Sequence, residues 1–280
     1  MDSTLPKKIG LDQRSIALRK EMIQIVAESR RGHLASALSC MEILRVLYDD
    51  ILNYKAEEPR WPKRDRLIFS KGHGCLALYA LLADKGFFSR AELFKFCKSD
   101  GILGGHPEYG KVPGVEASTG SLGHGLPIGI GMAIHAKYEK ANHRVFVILS
   151  DGETNEGSVW EAALCATKHK LDNLILLVDY NKQQSYGYNK DVLNLEPFAD
   201  KWKSFGFAVT EVNGHDVQAL KSILKKTPLE TNKPTTIICH TIKGKGISFA
   251  EENLEWHHKA KISEEEVQLL MKALENKSHA

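Results

Sequence analysis

The chain has 280 residues, with 38 lysines and arginines against 35 aspartates and glutamates, and a formal net charge of +3. A charge this close to balance does not indicate a nucleic-acid-binding or membrane-surface protein. No apolar run approaches the roughly 18 residues of a membrane span, and the first residues, MDSTLPKKIG, contain no apolar signal segment. The cysteines, Cys40, Cys75, Cys97, Cys165 and Cys239, are scattered without C-x-x-C spacing, which favours free thiols in a reducing cytoplasm.

Helical periodicity dominates the first third of the chain. After a polar tail of about residues 1–11, apolar side chains recur at helical spacing over 12–30, 35–52, 75–85 and 89–98. The first of these helices stops before Gly32, and a loop with two prolines, 53–63, follows the second. A short apolar strand, 67–69, precedes the sequence SKGHG at 70–74.

Residues 100–125, DGILGGHPEYGKVPGVEASTGSLGHG, contain eight glycines but few aliphatic side chains. Glycine allows the backbone to approach a ligand closely, and a long glycine-rich loop inside a compact domain is usually functional. A helix of small residues follows from Leu126. We therefore expect this loop to border a ligand.

The stretch from Val145 to Gly187 has the clearest structural pattern. An apolar strand, 145–150, is followed by a helix, 156–170, and by a second apolar strand, 174–178. A strand, a crossover helix and a strand predict parallel neighbours in one buried sheet. Asp151 and Asn181 follow these strands, at the edge where open α/β sheets bind ligands, and Gly152 leaves room for a phosphate. This arrangement indicates a site for a metal and a diphosphate.

The remaining segments also alternate between strand and helix. The pattern predicts helices over 198–205 and 217–225, strands over 208–212 and 235–239, and a charged C-terminal helix at about 263–277. Four or five apolar strands alternating with helices are typical of an α/β fold with a doubly wound, mostly parallel sheet and helices on both faces. Because no Pro/Ser-rich or charged linker interrupts the chain, we expect 1–280 to form one domain.

Three other kinds of α/β site do not match the sequence. The glycines of 120–131 do not form G-x-G-x-x-G after a strand, and KGKG at 243–246 lacks the P-loop spacing. No G-x-S-x-G is present. The sequence therefore argues against a dinucleotide fingerprint, a P-loop and a hydrolase nucleophile elbow.

Several glycine and histidine motifs resemble those of one family in their order. The chain contains RGH at 31–33, KGHG at 71–74, GHPE at 105–108, STGSLGHG at 118–125, and KGKG at 243–246 with WH at 256–257. It also contains D-G-x-x-x-E-G at 151–157 and D-x-N at 179–181. Together these motifs resemble the transketolases, a family of thiamine diphosphate enzymes.

The resemblance implies the diphosphate domain of a thiamine diphosphate-binding fold, with Mg²⁺ as the metal and Ca²⁺ or Mn²⁺ as possible substitutes. It implies that Asp151, Asn181 and the Gln183 carbonyl hold the metal against the diphosphate. The cofactor contacts that it implies are His73, Gly120, Ser121, Leu122, Asp151, Gly152, Glu153, Asn181 and His257.

The resemblance assigns catalytic roles to His33, His73, His106, His257 and Glu156. Imidazoles in a substrate channel can hydrogen-bond a ketose hydroxyl and move its proton near neutral pH. Glu156 matches a family glutamate in a carboxylate network across the subunit interface, although a glutamate here also favours a helix N-terminus. The family pattern favours His257 as the late active-site histidine and leaves His258 as the alternative.

The sequence departs from the family pattern in places. The family carries S-G-H where this chain has RGH, and Ser150 replaces the first glycine of G-D-G. After Asn181, KQQSYG replaces the more usual apolar pair and I-D-G. The contacts that this last loop makes with the cofactor therefore stay open.

The resemblance covers only the first domain of a full-length transketolase. The pyrimidine and C-terminal domains, which hold the aminopyrimidine and the sugar phosphate, have no counterpart in the 280 residues. We therefore expect the N-terminal subunit of a cytoplasmic transketolase of the pentose phosphate pathway type, acting on sugar phosphates with a separate pyrimidine-domain subunit in an α₂β₂ assembly. The alternatives are a 1-deoxyxylulose-5-phosphate synthase-like enzyme, a transketolase for an unusual sugar, and a non-catalytic binding subunit.

Overall fold

The computed structural model describes residues 9–256, 259 and 261–275. The α-helices are α1 (Gln13–Ser29), α2 (Leu34–Ser39), α3 (Met41–Val46), α4 (Cys75–Asp84), α5 (Gly125–Tyr138), α6 (Gly157–Lys168), α7 (Asn189–Val192), α8 (Phe198–Ser204), α9 (Val217–Leu224) and α10 (Glu264–Glu275). The strands are β1 (Arg66–Phe69), β2 (Val145–Ser150), β3 (Leu174–Tyr180), β4 (Gln183–Gln184), β5 (Gly187–Tyr188), β6 (Ala208–Asn213) and β7 (Thr235–His240). A π-helical turn, Leu47–Ile51, extends α3. Among the described helices, none has the length and apolar character to cross a membrane.

Five strands form the main sheet in the order β1-β2-β3-β7-β6, and all neighbouring pairs are parallel. The register between β2 and β3 pairs Ser150 with Asp179, which confirms the predicted parallel pair. Because the strands are parallel, their carboxyl ends share one edge of the sheet, where open α/β sheets bind ligands. The segments that follow β1, β2, β3 and β7 therefore start side by side.

Side chains of the central strands alternate between two apolar layers. Phe146 and Ile148 belong to the layer that includes α1 to α4, α9 and α10, whereas Val145, Val147 and Leu149 belong to the layer with α5, α6 and α8. All five side chains are fully buried. The sheet thus carries helices on both faces, which confirms the predicted doubly wound α/β class.

The helix predicted over 35–52 is divided in the structure. α2 ends at Ser39, and α3 begins at Met41 after the intervening Cys40. The Ser36 carbonyl accepts hydrogen bonds from Lys71 Nζ at 3.0 Å and from Ser39 Oγ at 3.0 Å. These donors compete with the main-chain N–H that a continuous helix would direct at the same carbonyl. A lysine from a distant strand end therefore interrupts a helix that local periodicity predicts as continuous.

Other boundaries also differ from the sequence pattern. β3 continues to Tyr180, two residues beyond the predicted strand, and the helix predicted over 89–98 is a 3₁₀ turn, Arg90–Lys95. The antiparallel hairpin of β4 and β5 is not predicted at all. With two residues in each strand, this hairpin is too short to show the alternation by which strands are recognised.

A buried polar network joins α1, α3 and the loop after β6. Arg19 donates hydrogen bonds to both carboxylate oxygens of Glu42, at 2.5 and 2.9 Å. The Ile242 N–H donates to His215 Nε2 at 2.8 Å, so the proton of the neutral imidazole is on Nδ1, which lies 2.9 Å from Glu42. Arg19 Nε also donates to the Lys245 carbonyl at 3.0 Å, which ties the KGKG segment to α1.

We expect the free energy of unfolding to decrease below pH 6.5 because of His215. Burial lowers the pKa of this imidazole below its usual 6.5, although Glu42 opposes the shift and Arg19 and Lys245 add to it. Because the unfolded chain takes up this proton at a higher pH than the folded chain, the stabilisation is present above pH 6.5 and is lost as the pH falls below it. Urea unfolding between pH 7 and pH 5 measures the effect.

The substitution His215→Gln removes the ionisation and should flatten this part of the pH dependence. The matched control is His169→Gln, at an exposed position at the end of α6, which should leave the pH dependence unchanged. The same decline in His215→Gln as in the unsubstituted protein would contradict the assignment.

Candidate active site at the carboxyl edge of the sheet

Asp151 and Asn181 lie beside each other where β2 and β3 end. The Asp151 carboxylate accepts hydrogen bonds from the N–H of Gly152, at 2.7 Å, and from the N–H of Lys182, the residue after Asn181. The Asn181 side-chain oxygen accepts from the Gln183 N–H at 3.1 Å. The two strand ends are therefore held together by the polar groups that the sequence predicts at this edge.

Asp151 is a carboxylate in an electrostatically unfavourable position. Its side chain is fully buried. Burial raises its pKa, the negative charge of Asp179 raises it further, and Lys243 opposes the shift, so that the pKa reaches about 6. A divalent cation beside this carboxylate would supply the compensating positive charge.

Lys243 is a site residue that sequence reasoning missed. Its side chain is buried, and Nζ donates to the Gln183 carbonyl at 3.4 Å. Burial and Lys71 lower its pKa to about 7, against the effect of Asp151 and Asp179. The only signal in the sequence was its place in KGKG, which identifies a loop but not the direction of a side chain.

The oxygen donors at this edge fit Mg²⁺ together with a diphosphate. Asp151 offers a carboxylate, Asn181 an amide oxygen and Gln183 a main-chain carbonyl, which are donors that a hard cation prefers. The Gln183 carbonyl already faces the ammonium group of Lys243. Within the described residues, no three His, Cys, Asp or Glu side chains are arranged to hold a metal ion. The candidate ligand set thus depends on amide and main-chain oxygen.

A buried ion pair between Lys71 and Asp179 supports this edge. Both side chains are fully buried. Asp179 also accepts hydrogen bonds from Ser39 Oγ, at 2.6 Å, and from Thr241 Oγ1. Burial raises the pKa of Asp179. The charge of Lys71 and the hydrogen bonds from Lys71, Ser39 and Thr241 together lower this pKa by more, so the net shift is downward. The pair is therefore charged and joins α2 to the segments at the ends of β1, β3 and β7.

Glu153 connects three loops through its carboxylate. Ser70 Oγ and the Gly123 N–H, at 2.9 Å, donate to one oxygen, and the Ser150 N–H donates to the other at 3.2 Å. The side chain is fully buried, and burial raises its pKa. The Glu153 carboxylate therefore holds three loops in position, and its predicted contact with the cofactor stays a prediction.

Close packing of glycines brings the glycine-rich loop against the SKGHG segment. Gly120 has φ of +134°, and a Cβ at this position would lie 2.8 Å from the His106 ring. A Cβ on Gly72 would lie 2.7 Å from Thr119 Oγ1. The first contact lies within the glycine-rich loop. The second joins this loop to the SKGHG segment, because no larger residue fits at position 72 without displacing Thr119 and Gly120.

Three of the predicted histidines line one cavity of about 430 Å³. They are His33 before α2, His73 after β1 and His106 in the glycine-rich loop. The rings of His33 and His73 meet edge to face, with centroids 5.7 Å apart. Residues from distant parts of the sequence thus form one polar wall, which can donate and accept hydrogen bonds to a polyhydroxyl ligand.

The remaining predicted site residues are less closely connected. Glu156 is exposed and precedes α6. Ser121 is exposed and Leu122 is half-buried in the turn that follows STG. His257 and His258 lie outside the described residues.

A parallel sheet with hard oxygen donors, a buried lysine and glycine-rich loops at its carboxyl edge defines an α/β domain suited to a diphosphate and a metal ion. Comparison with known families agrees with this class. Residues 12–279 match the family described as "Transketolase, thiamine diphosphate binding domain". The chain belongs to the transketolase family.

Known proteins of similar length and of greater length resemble the chain. It is 40% identical to one subunit of the apulose-4-phosphate transketolase of Phocaeicola vulgatus, over 91% of this chain and 90% of that protein. It is 38% identical to a 6-deoxy-6-sulfo-D-fructose transketolase subunit of Clostridium sp., over 92% and 94%. The crystal structure of Campylobacter jejuni transketolase superposes with a TM-score of 0.87 at 31% identity, over 94% of this chain but 42% of that one.

The Lys71–Asp179 pair should be essential for stability. We expect Asp179→Asn to lower the free energy of unfolding by about 3–5 kcal/mol, because it leaves the buried Lys71 cation without its partner. The measurement is urea unfolding at pH 7. As a matched control, Asp200→Asn breaks the exposed Asp200–Lys203 pair and should cost no more than about 1 kcal/mol. Equal effects of the two substitutions would contradict the role of the buried pair.

Proposed function

We propose that this chain is the N-terminal subunit of a heteromeric transketolase. It would bind thiamine diphosphate and Mg²⁺ and, with a separate pyrimidine-domain subunit, transfer a two-carbon ketol unit from a ketose phosphate to an aldose phosphate. The observation that carries this proposal is the set of oxygen donors after β2 and β3 on the same sheet edge as the three-histidine cavity.

In this proposal Asp151, Asn181 and the Gln183 carbonyl hold the metal. The buried Lys243 balances the negative charge of the diphosphate, since a cation of this kind is stabilised when an anion binds beside it. Gly152 and the backbone of 120–122 approach the diphosphate oxygens. Hydrogen bonds hold the Asp151 and Asn181 side chains before a ligand binds, which limits the entropy lost on binding.

His33, His73 and His106 line the channel for the sugar and exchange hydrogen bonds with its hydroxyl groups. An imidazole that donates with one nitrogen and accepts with the other can move a hydroxyl proton near neutral pH. His257 is proposed for the same channel. Thiamine diphosphate, when bound, supplies the carbon chemistry, and the protein orients the sugar and manages its protons.

The length of the relatives supports a separate partner. The proteins named as transketolase subunits match this chain over 90% or more of their own length. A pyrimidine-domain chain would then complete each site, in the α₂β₂ assembly and the cytoplasmic location expected from the resemblance. The exposed position of Glu156 supports its predicted place at a subunit interface.

The names of these relatives also favour a second candidate. One relative is named for apulose 4-phosphate and another for 6-deoxy-6-sulfo-D-fructose. A transketolase that acts on an unusual sugar, outside the pentose phosphate pathway, is therefore the alternative. The donor and acceptor that the assembled complex converts fastest distinguish the two.

Ketol transfer should require the partner subunit. We expect the purified chain, supplied with thiamine diphosphate and Mg²⁺, to show no transfer between a panel of ketose and aldose phosphates. Addition of the partner, isolated by affinity capture with this chain, should restore turnover. Robust transfer by this chain alone would contradict the split-site proposal.

Removal of the Asp151 carboxylate should abolish metal-dependent cofactor binding by the assembled complex. Loss of even an outer partner of a metal ligand costs roughly 10- to 100-fold in metal affinity, so we expect at least this loss for Asp151→Ala and for the isosteric Asp151→Asn. Calorimetric titration of thiamine diphosphate with and without Mg²⁺ measures it, and Asp200→Ala is the exposed control. Unchanged cofactor affinity in a folded variant would refute the metal assignment.

A further inference from the structure

The three-histidine cavity has a cation at its rim that the proposed chemistry does not use. Arg31 lines the cavity beside His33, and Lys259 lines it as well. Lys259 forms an ion pair with Glu266 and lies 4.3 Å from the centroid of the Trp256 ring. Arg31 is exposed, and its guanidinium forms no ion pair or hydrogen bond with any residue in the described ranges. Arg31 is therefore available to a ligand.

The backbone holds Arg31 at this position. Gly32 has φ of +134°, and a Cβ on it would lie 3.0 Å from Leu76 Cδ1, so the turn packs directly on the core. The preceding Arg30 ends α1 and forms an ion pair with Glu264. Of these two adjacent arginines, Arg30 is paired with Glu264, whereas Arg31 lines the cavity.

The charge of Arg31 also acts on a neighbouring group of the cavity lining. Burial raises the pKa of the Cys97 thiol, and Arg31 opposes that shift. Cys97 lines the same cavity. A guanidinium presents a planar set of N–H donors that binds two oxygens of a phosphate or sulfonate at once.

We propose that Arg31 adds a contact to the terminal anionic group of the sugar substrate, a phosphate or a sulfonate, beside the contacts expected from the partner subunit, and thereby helps to determine specificity. This inference rests on the proposed function and names a specificity residue within this chain. The histidine side of the cavity takes the reacting end of the sugar, and the rim takes its far end. The serine that the family carries at this point of S-G-H has no charge to offer, so the contact distinguishes this chain from the family pattern.

The test compares donors that differ at one group. Wild-type and Arg31→Gln complexes, with their partner subunit, are assayed with fructose 6-phosphate, 6-deoxy-6-sulfo-D-fructose and neutral fructose. We expect Arg31→Gln to raise KM for the anionic donors roughly 10- to 100-fold, the effect of a lost charged hydrogen bond, with little change in kcat. The values for fructose should be nearly unchanged. Arg31→Lys should recover part of the loss, because it keeps the charge but not the paired donors.

Arg30→Gln is the matched control, because it changes the net charge by the same amount next to Arg31 but outside the cavity lining. It should leave the preference for anionic donors intact. Equal effects of Arg31→Gln on fructose and fructose 6-phosphate, or an equal effect of Arg30→Gln, would overturn the inference while the proposed function stands. A wild-type complex that converts no donor would instead overturn the proposed function, and the inference with it.

Discussion

The buried ion pair between Lys71 and Asp179 bridges two strands that flank β2. Lys71 follows β1 and Asp179 belongs to β3, so the pair joins segments that are not neighbours in the sheet. Its hydrogen bonds reach Ser39 and Thr241 as well. A fully buried charge is tolerated only when it is paired and hydrogen-bonded. This requirement keeps α2, β3 and the segments after β1 and β7 in one arrangement around the candidate site.

The same edge also contains two further buried charged groups of opposite sign, Asp151 and Lys243. The pKa of Asp151 is raised to about 6 and that of Lys243 is lowered to about 7, in both cases with burial as the first cause. Each group is therefore less stable in its charged form than it would be in water. A metal ion favours the charged carboxylate and a diphosphate favours the charged ammonium, so one bound cofactor would relieve both. This complementarity connects the energetics of the fold to the proposed function.

The cavity next to this charged edge has a different construction. Gly72 packs so closely against Thr119 and Gly120 that no Cβ fits there, and Gly120 packs in the same way against the His106 ring. Glu153 fixes the same loops from the interior. The histidine wall is thus held by packing and by a buried carboxylate, whereas Arg31 at the rim stays exposed. In the proposed complex, the packed histidines would face the reacting end of the sugar, and the exposed Arg31 would face its anionic end.

The sequence by itself determined the strand and helix order, the α/β class and the family, because apolar periodicity and short glycine and histidine motifs are local patterns. It also placed Asp151 and Asn181 at two strand ends. Only the tertiary structure decided that Glu153 points inward, that Lys243 reaches the Gln183 carbonyl, and that helix 35–52 is interrupted. Each of these results depends on groups that are far apart in the chain, such as Lys71 and Asp179, which are separated by 108 residues. The direction of a side chain depends on such neighbours in space, and local sequence does not encode them.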